Sequence, residues 1–414
     1  MRCGKEEFKK WERLVRERKV TAKFAAAALG YTQGRFSVLR KKYAELGDRI
    51  FVHGLCGKPA ANAVPESERK FIVGEYVKSD CEGARITFRH WRDTLEEEYG
   101  VKRSYKTVYA VLTAAGLESP EKRKPARKKT HRARFRREHF GELLQWDATP
   151  FQWFKWTGDA NYYALHGALD DATSSFVGLY MAEHECRYGY IECRRQALER
   201  HGVELEDYSD KSPVFKNNSK ENLTIHDQLA GTEKKKPLWR EMDDELGIRL
   251  NIANSPQAKG KVERAWETVQ GRLPAEFKRL GISTVEDANA YLRSRFLNYY
   301  AFHFGKPAKS GVSAWRPVPE GMDLETVLCV KEKRVVSNRG TVSFKGLTLL
   351  VDGNLRGGTE GYVCVSERSV FFLAGKRKLP VRVQGEFADL SGASQSLERI
   401  IHDFMFKELK ERAA

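Results

Sequence analysis

The 414-residue sequence predicts a multidomain protein with α-helical domains at the front, an α/β core with a mixed sheet, and a small C-terminal β-barrel. Three observations lead to this prediction. Apolar residues recur at helical spacing over residues 8–46 and 65–117. Strand-like and helical segments alternate over residues 141–305. Short β-rich pieces, separated by Gly and charged turns, fill residues 326–384.

The charge of the chain is concentrated in its first third. Residues 1–140 hold 34 of the 73 Lys and Arg residues but only 18 of the 56 Asp and Glu residues, so nearly all of the formal net charge of +17 lies there. Such a one-sided basic region is typical of a polyanion-binding domain. A generally basic protein would also have a high pI, but it would not show this split.

The composition excludes several classes of protein. No apolar run reaches the roughly 20 residues of a membrane span, and the charged N-terminus lacks the apolar stretch of a signal peptide. We therefore expect a soluble, cytoplasmic protein without a membrane partner. The seven cysteines are scattered and form no CxxC pair, so we predict neither a disulfide framework nor a zinc site. Cys186 and Cys193 are interpreted as buried thiols.

Two helical domains are predicted ahead of the core. In residues 1–60, a short helix, a break at Gly30 and a second, basic helix form a helix-turn-helix pattern. Residues 61–117 repeat it in a winged-helix-like domain, where Gly100 ends one helix and Ser104 caps the next. One such pattern is weak evidence for DNA binding, because helix–Gly–helix hairpins are common, but a tandem pair is stronger.

The remaining boundaries follow from changes in composition. Residues 118–140 form a basic linker, with ten Lys and Arg and no acid between 122 and 137. The mixed α/β core spans 141–305, where three strands precede a helix–strand–helix–strand–helix succession. A second linker covers 306–325, the small β-barrel covers 326–385, and a C-terminal helix lies within 386–414.

Three acidic residues stand out in the core. Asp147 lies in a strand-like segment (QWDATPF), Asp210 ends a later one (YSDKSPVF), and Glu263 lies on the helix that follows NSPQAKGKVER. Two strand-end carboxylates and one helix carboxylate can converge on one point, and oxygen ligands are those that Mg²⁺ prefers. Taken singly, each could be a surface charge or, for Glu263, a helix ion pair.

These three segments resemble the acidic motifs of the DDE transposase and retroviral integrase superfamily. The third is the most specific, with Asn254, Pro256, Gly260 and Glu263 in the spacing N-x-P-x-x-x-G-x-x-E. Over about 141–305 the chain is similar to bacterial insertion-sequence transposases, and most similar to the unclassified group. The 52 residues between Asp210 and Glu263 exceed the spacing typical of integrases, which we attribute to a polar insertion after residue 211.

The resemblance implies an RNase H-like core in which Asp147, Asp210 and Glu263 are both the catalytic residues and the ligands of two Mg²⁺ ions, with Mn²⁺ as an alternative. It implies binding of terminal inverted repeats, cleavage that frees a 3′-OH at each end, and in-line attack of that hydroxyl on target DNA. The expected partners are double-stranded DNA, as transposon ends and target, and further copies of the chain in a dimer or larger assembly, nucleoid-associated when bound.

Several basic residues are predicted to contact DNA. They lie on the basic helices, in the linker and beside Glu263, where contact with the DNA end is expected. They are Arg35, Arg40, Lys41, Lys106, Lys128, Lys129, Arg134, Lys259, Lys261 and Arg264.

Other polar residues are interpreted as structural. Asp170 and Asp171 fit a hairpin turn after a strand, and His166, His184 and His201 are ordinary polar or packed residues. Two alternative functions stay open at this point. The chain could be a catalytically silent DNA-binding repressor, which an intact acidic triad disfavours. It could also be a simple RNase H-like nuclease, which has little use for tandem sequence-reading domains.

Overall fold

A computed structural model describes residues 3–52, 56, 63–120, 135–210, 214–215, 237–252, 260–384 and 395–407. The chain divides into two compact units, residues 1–70 and residues 71–414. Among the described residues, no helix combines the length and apolar character needed to cross a bilayer.

Three helices build the first unit: α1 (Lys5–Arg16), α2 (Ala22–Ala28) and α3 (Gln33–Leu46), followed by a 3-10 turn at Gly47–Phe51. The Thr21 and Thr32 side chains cap α2 and α3 by accepting backbone N–H groups. Phe8 and Phe36 are fully buried, and their rings meet edge to face at 5.7 Å. The helical prediction for residues 8–46 is confirmed, with an additional break between α1 and α2.

The next helices are α4 (Glu66–Ser79), α5 (Phe88–Tyr99) and α6 (Tyr105–Ala114). Gly100 ends α5 in the left-handed conformation, and the Ser104 hydroxyl caps α6 by accepting the backbone N–H of Thr107, as predicted. Trp91 of α5 is buried and donates its indole N–H to the carbonyl of Ile72 on α4. The second helical region is therefore a packed unit, not a set of separate helices.

The core is built on a five-stranded mixed sheet. Its strands are β1 (Leu143–Phe151), β2 (Tyr163–Asp170), β3 (Phe176–Ala182), β4 (Glu206–Ser209) and β5 (Arg249–Ile252), in the order β3-β2-β1-β4-β5. The first three strands are antiparallel, whereas β4 runs parallel to β1 and β5 runs parallel to β4. The predicted succession of strands and the mixed sheet are confirmed.

Helices cover both faces of this sheet. They are α7 (Arg187–Arg200), α8 (Leu238–Leu246), α9 (Gly260–Gln270), α10 (Leu273–Leu280), α11 (Val285–Tyr291) and α12 (Leu297–Phe304), with a π-helical segment at Leu292–Phe296. On one face, Trp146 of β1 packs with residues of α7 and α8. On the other face, α9 to α12 cover β2 and β3 through Trp266, Phe277 and Phe296. Because side chains alternate along β1, this strand contributes residues to an apolar core on each face of the sheet.

The C-terminal region begins with the short helix α13 (Leu324–Val327) and forms a second, antiparallel sheet. Its strands are β6 (Val330–Val335), β7 (Thr341–Phe344), β8 (Leu347–Val351), β9 (Glu360–Val365), β10 (Val370–Ala374) and β11 (Arg377–Val383), in the order β6-β9-β10-β11-β8-β7. The helix α14 (Gln395–Ile401) and a π-helical turn at His402–Phe406 follow. The predicted β-rich character of this region is confirmed, and closure of its strands into a barrel stays a prediction.

Candidate active site

Asp147 lies on β1, the central strand of the five-stranded sheet. Its side chain is half-buried, and its Oδ2 accepts a hydrogen bond from the indole Nε1 of Trp266 at 3.0 Å. On the neighbouring strand β2, the residue opposite Asp147 is Gly167. The side chain of Asp147 therefore contacts α9, on the face of the sheet opposite to Trp146.

Asp210 directly follows β4, the strand that runs parallel to β1. The last pair of that ladder joins Gln145 to Tyr208. If the register continues for two residues, Asp210 comes beside Asp147, because parallel strands keep a constant offset. Both side chains are half-buried. The prediction of two strand-end carboxylates is therefore wrong for Asp147, which lies in the middle of β1, and only Asp210 follows the end of its strand.

The pKa of the Tyr190 phenol on α7 is affected by both aspartates. Burial raises the pKa of Tyr190, and the negative charges of Glu185, Asp147 and Asp210 raise it further. The Tyr190 hydroxyl donates a hydrogen bond to Glu185 Oε1 at 2.6 Å. Tyr190 therefore lies within the electrostatic range of both aspartates.

Glu263 occupies the first turn of α9 and is exposed. Trp266 follows three residues later and contacts Asp147, so α9 is joined to β1 one turn from Glu263. The end of the same helix is attached too, because Gln270 Nε2 donates to Thr149 Oγ1 of β1 at 2.8 Å. These contacts fix the helix that carries the third carboxylate against the strand that carries the first.

The described residues do not form a closed metal cluster, since no three His, Cys, Asp or Glu side chains among them are close enough to hold an ion. Asn254, Pro256 and Lys259, which precede α9 in the third motif, lie outside the described residues. Asp147 lies on β1, Asp210 follows β4 and Glu263 lies on α9, and joint ligation of metal by the three carboxylates stays a prediction.

A second group of carboxylates lies on the other side of β1 and β4, and the sequence interpretation missed it. The guanidinium of Arg194 on α7 pairs with Asp207, with Asp243 at 2.6 Å and with Glu204 at 3.5 Å. Asp207 also accepts the indole N–H groups of Trp146 at 2.7 Å and Trp239 at 3.0 Å. We call these four charged residues the Arg194 cluster. All four are fully buried or nearly so.

Burial shapes the charges of the Arg194 cluster. Burial raises the pKa of Glu204, and the charge of Asp207 raises it further. Burial also raises the pKa of Asp243, to about 8, against the opposing charge of Arg194. Burial would lower the pKa of Arg194, but the surrounding carboxylates outweigh it and raise that pKa. Asp207, Asp243 and Glu204 together surround the buried guanidinium.

The residues interpreted as structural have the expected environments. Asp170 is buried and accepts the backbone N–H groups of Gly141 and Thr173 in the turn after β2. Asp171 is buried and accepts an N–H of the Gln145 side chain at 2.6 Å. His166 is buried between the carbonyl of Tyr180 and the N–H of Cys186, and burial lowers its pKa to about 4. Cys186 and Cys193 are buried, whereas His184 and His201 are exposed.

The predicted DNA-contact residues differ in their surroundings. Arg35, Lys41, Lys106 and Arg264 are exposed. Arg40 lies 3.7 Å from Glu12, and Lys261 pairs with the buried carboxylate of Asp171 at 2.8 Å. The other four predicted contacts are outside the described residues or border them, so their surroundings are not described: Lys128, Lys129, Arg134 and Lys259.

The second helical region is docked on the core through charged side chains of α5. His90 Nε2 lies 2.8 Å from Glu276 Oε1 of α10, and Asp93 accepts from the Arg272 guanidinium at 2.7 Å, with all four residues at least 95% buried. Burial would raise the pKa of Glu276, but His90 and Arg279 outweigh it and lower that pKa to about 2. The sequence of α5 alone does not predict this interface, because the partners of His90 and Asp93 lie 186 and 179 positions further along the chain.

Basic helical regions ahead of a mixed sheet that carries solvent-accessible carboxylates are typical of enzymes that act on nucleic-acid phosphates. No protein-family model matches the chain. Among curated proteins, it is 28% identical over 361 residues to the transposase for insertion sequence IS1202 of Streptococcus pneumoniae, covering 80% of this chain and 74% of that protein. It is 30% identical over 338 residues to the putative transposase y4bF of Sinorhizobium fredii, covering 81% and 70%.

The chain therefore belongs to the insertion-sequence transposases, which are DNA-recombining enzymes. This confirms the resemblance inferred from the three acidic motifs. The solved structures it is similar to include an intasome of simian T-cell lymphotropic virus, with a TM-score of 0.29, 14% identity, and coverage of 69% of this chain and 93% of that chain. They also include the HTLV-2 integrase catalytic core domain with magnesium, with a TM-score of 0.27, 17% identity, and coverage of 37% and 85%.

Proposed function

We propose that this transposase binds the terminal inverted repeats of its insertion sequence and catalyses DNA strand cleavage and strand transfer with Asp147, Asp210 and Glu263. One observation carries the proposal. Asp147 lies within β1, Asp210 directly follows the parallel strand β4, and the helix that carries Glu263 contacts Asp147 through Trp266. We further propose that this core is RNase H-like.

The chemistry of the three side chains suits divalent magnesium. All three are carboxylates, and each has access to solvent: Asp147 and Asp210 are half-buried and Glu263 is exposed. Hard oxygen ligands with room for water are what Mg²⁺ requires, and Mn²⁺ accepts the same set. Two bound ions would supply activation of the attacking oxygen and stabilisation of the leaving one.

The chain's own residues would supply DNA binding and alignment. Lys106 is exposed near the start of α6, and Arg264 is exposed beside Glu263, so both can approach backbone phosphates. Lys41 and Arg35 present a similar basic surface on α3. Joining two transposon ends requires two active sites on one DNA assembly, so we propose a homodimer or larger oligomer acting at the bacterial nucleoid.

A strand-cleavage and joining assay tests this function. Purified full-length protein is incubated with labelled duplexes from the flanking inverted repeats, in Mg²⁺ or Mn²⁺, beside the variants Asp147→Asn and Glu263→Gln. Both variants keep the shape of the side chain and remove its charge. We expect both to bind the duplex like the wild type and to lose cleavage and joining.

Glu267→Gln is the matched control, because Glu267 is also exposed and lies one turn after Glu263 on α9. It should cleave at the wild-type rate. Tight binding of the repeats by every form, without metal-dependent cleavage by the wild type, would contradict the proposal and favour a repressor. Cleavage without joining would favour a simple nuclease.

A further inference from the structure

Trp266 is a buried core residue that also donates a hydrogen bond to a residue of the proposed active site. Its ring is 4% exposed and packs against Phe176, with ring centroids 4.8 Å apart. Its indole Nε1 donates to Asp147 Oδ2 at 3.0 Å. A buried indole N–H needs an acceptor, and here the acceptor is one of the three acidic residues, not a backbone carbonyl.

Gly167 provides the space that this contact needs. It lies opposite Asp147 in the β1–β2 ladder. A Cβ atom at residue 167 would come within 2.5 Å of Trp266 Cη2 and 2.8 Å of Phe176 Cε1. Real Cβ contacts are longer than this, so any larger residue at 167 would displace the indole. The absence of a side chain at residue 167 therefore leaves room for the ring at the position from which it donates to Asp147.

The place of Trp266 on α9 links two of the three carboxylates. Trp266 follows Glu263 by three residues, so both lie on adjoining positions of one helical face. The hydrogen bond to Asp147 consequently fixes the orientation of that carboxylate and its distance from the first turn of α9 together.

We propose that Trp266 is a positioning residue that orients Asp147 for metal binding and sets the spacing between Asp147 and Glu263. The inference rests on the proposed function, because it gives Asp147 a metal-binding role. Donors that orient a ligating carboxylate change metal affinity or activity by about 10- to 100-fold when they are removed. Trp266→Phe, which keeps an aromatic ring and removes the N–H, should act in this range.

The direct test is the dissociation constant of Mn²⁺, measured on the full-length chain by the electron paramagnetic resonance of free Mn²⁺. We expect Trp266→Phe to raise it about 10- to 100-fold relative to the wild type. The matched control is Trp153→Phe. Trp153 is buried in the same apolar cluster, but its indole donates to the backbone carbonyl of Tyr163 at 2.8 Å. That variant should bind Mn²⁺ like the wild type, with a similar loss of thermal stability.

Gly167→Ala gives a second, independent variant. It should weaken Mn²⁺ binding in the same direction, because the new Cβ displaces the indole. In the Trp266→Phe background, the same change should weaken binding less, since the ring that it displaces no longer donates to Asp147. Part of its cost in stability will remain through Phe176.

The outcomes separate this inference from the proposed function. Wild-type Mn²⁺ binding by Trp266→Phe would overturn the inference and leave Trp266 as a core residue only. Mn²⁺ binding that is absent from the wild type would overturn it as well. Mn²⁺ binding that Trp266→Phe weakens, in a protein that never cleaves DNA, would support the inference and contradict the proposed strand transfer.

Discussion

Two groups of carboxylates lie on β1, β4 and the helices around them, and they have opposite environments. In the Arg194 cluster, Asp207, Asp243 and Glu204 surround a guanidinium that is fully buried. In the candidate active site, Asp147 and Asp210 are half-buried and Glu263 is exposed. Successive residues on β1 serve the two groups, since Trp146 donates to Asp207 whereas Asp147 accepts from Trp266.

The difference separates structural acids from candidate metal ligands. A buried carboxylate is tolerated only when a charge or a hydrogen bond compensates it, or when its pKa rises until it is protonated. The Arg194 cluster uses both means. Carboxylates with access to solvent keep oxygen atoms available to a hydrated cation. We therefore expect substitutions in the first group to affect stability, and substitutions in the second group to affect catalysis.

The largest effect on stability is expected from Arg194→Met, which removes the cation and leaves Asp207 charged and buried. Breaking a buried ion pair from one side costs about 3–5 kcal/mol, and calorimetric or urea unfolding would measure it. Arg293→Met is the control, because the Arg293 side chain is 52% exposed in its pairs with Glu199 at 2.7 Å and Glu192 at 3.7 Å. Each pair of this solvent-exposed side chain should contribute less than about 1 kcal/mol. Equal losses in the free energy of unfolding for the two variants would show that the Arg194 cluster stabilises the fold no more than a surface ion pair does.

A pH-dependent effect of somewhat smaller size is expected from His166. Burial lowers its pKa from 6.5 to about 4, so the folded protein holds it neutral while the unfolded chain takes up a proton. Stability is therefore present above pH 6.5 and is lost as the pH falls toward 4, by roughly 3 kcal/mol at most. His90, whose pKa burial also lowers, acts in the same direction.

Melting temperature measured from pH 7.5 to pH 4 tests this dependence. His166→Gln should flatten the curve, whereas His184→Gln should leave it unchanged, because His184 is exposed. A wild-type curve without any decline between pH 6.5 and pH 4 would show that His166 is not held neutral.

The smallest of these effects is expected from Lys261→Met. Asp171 is fully buried, and it keeps the hydrogen bonds from Gln145 and from the backbone N–H of Arg137 after the ammonium is lost. We expect a loss of about 1–2 kcal/mol in the free energy of unfolding, with unchanged salt dependence of DNA binding. A salt slope lowered by about 1 would instead assign Lys261 to a phosphate contact.

Local patterns in the sequence were sufficient to predict most elements and the candidate catalytic residues. The cap at Ser104, the helix end at Gly100 and the alternation along β1 depend on neighbours a few residues away. Asp147, Asp210 and Glu263 were identified because each lies in a recognisable short motif.

Long-range polar contacts were not predictable in this way. The partners of Arg194 come from β4, from the residues just before it and from α8, and nothing near Arg194 in the sequence distinguishes it from the adjacent Arg195. Trp266 and Asp147 are 119 positions apart in the sequence. The role of Gly167 becomes visible only when the pairing of β1 with β2 places it opposite Asp147. The sequence offers one sign, the concentration of three acidic residues at Glu204, Glu206 and Asp207.

The most direct test of the account compares Asp207→Asn with Asp210→Asn, since these two carboxylates lie three residues apart beside β4. The free energy of unfolding and single-turnover cleavage of a terminal-repeat duplex are measured on both. We predict that Asp210→Asn unfolds like the wild type, within about 0.5 kcal/mol, and no longer cleaves. Asp207→Asn should unfold several kcal/mol more easily but cleave whenever it is folded. Wild-type cleavage by Asp210→Asn would contradict the account.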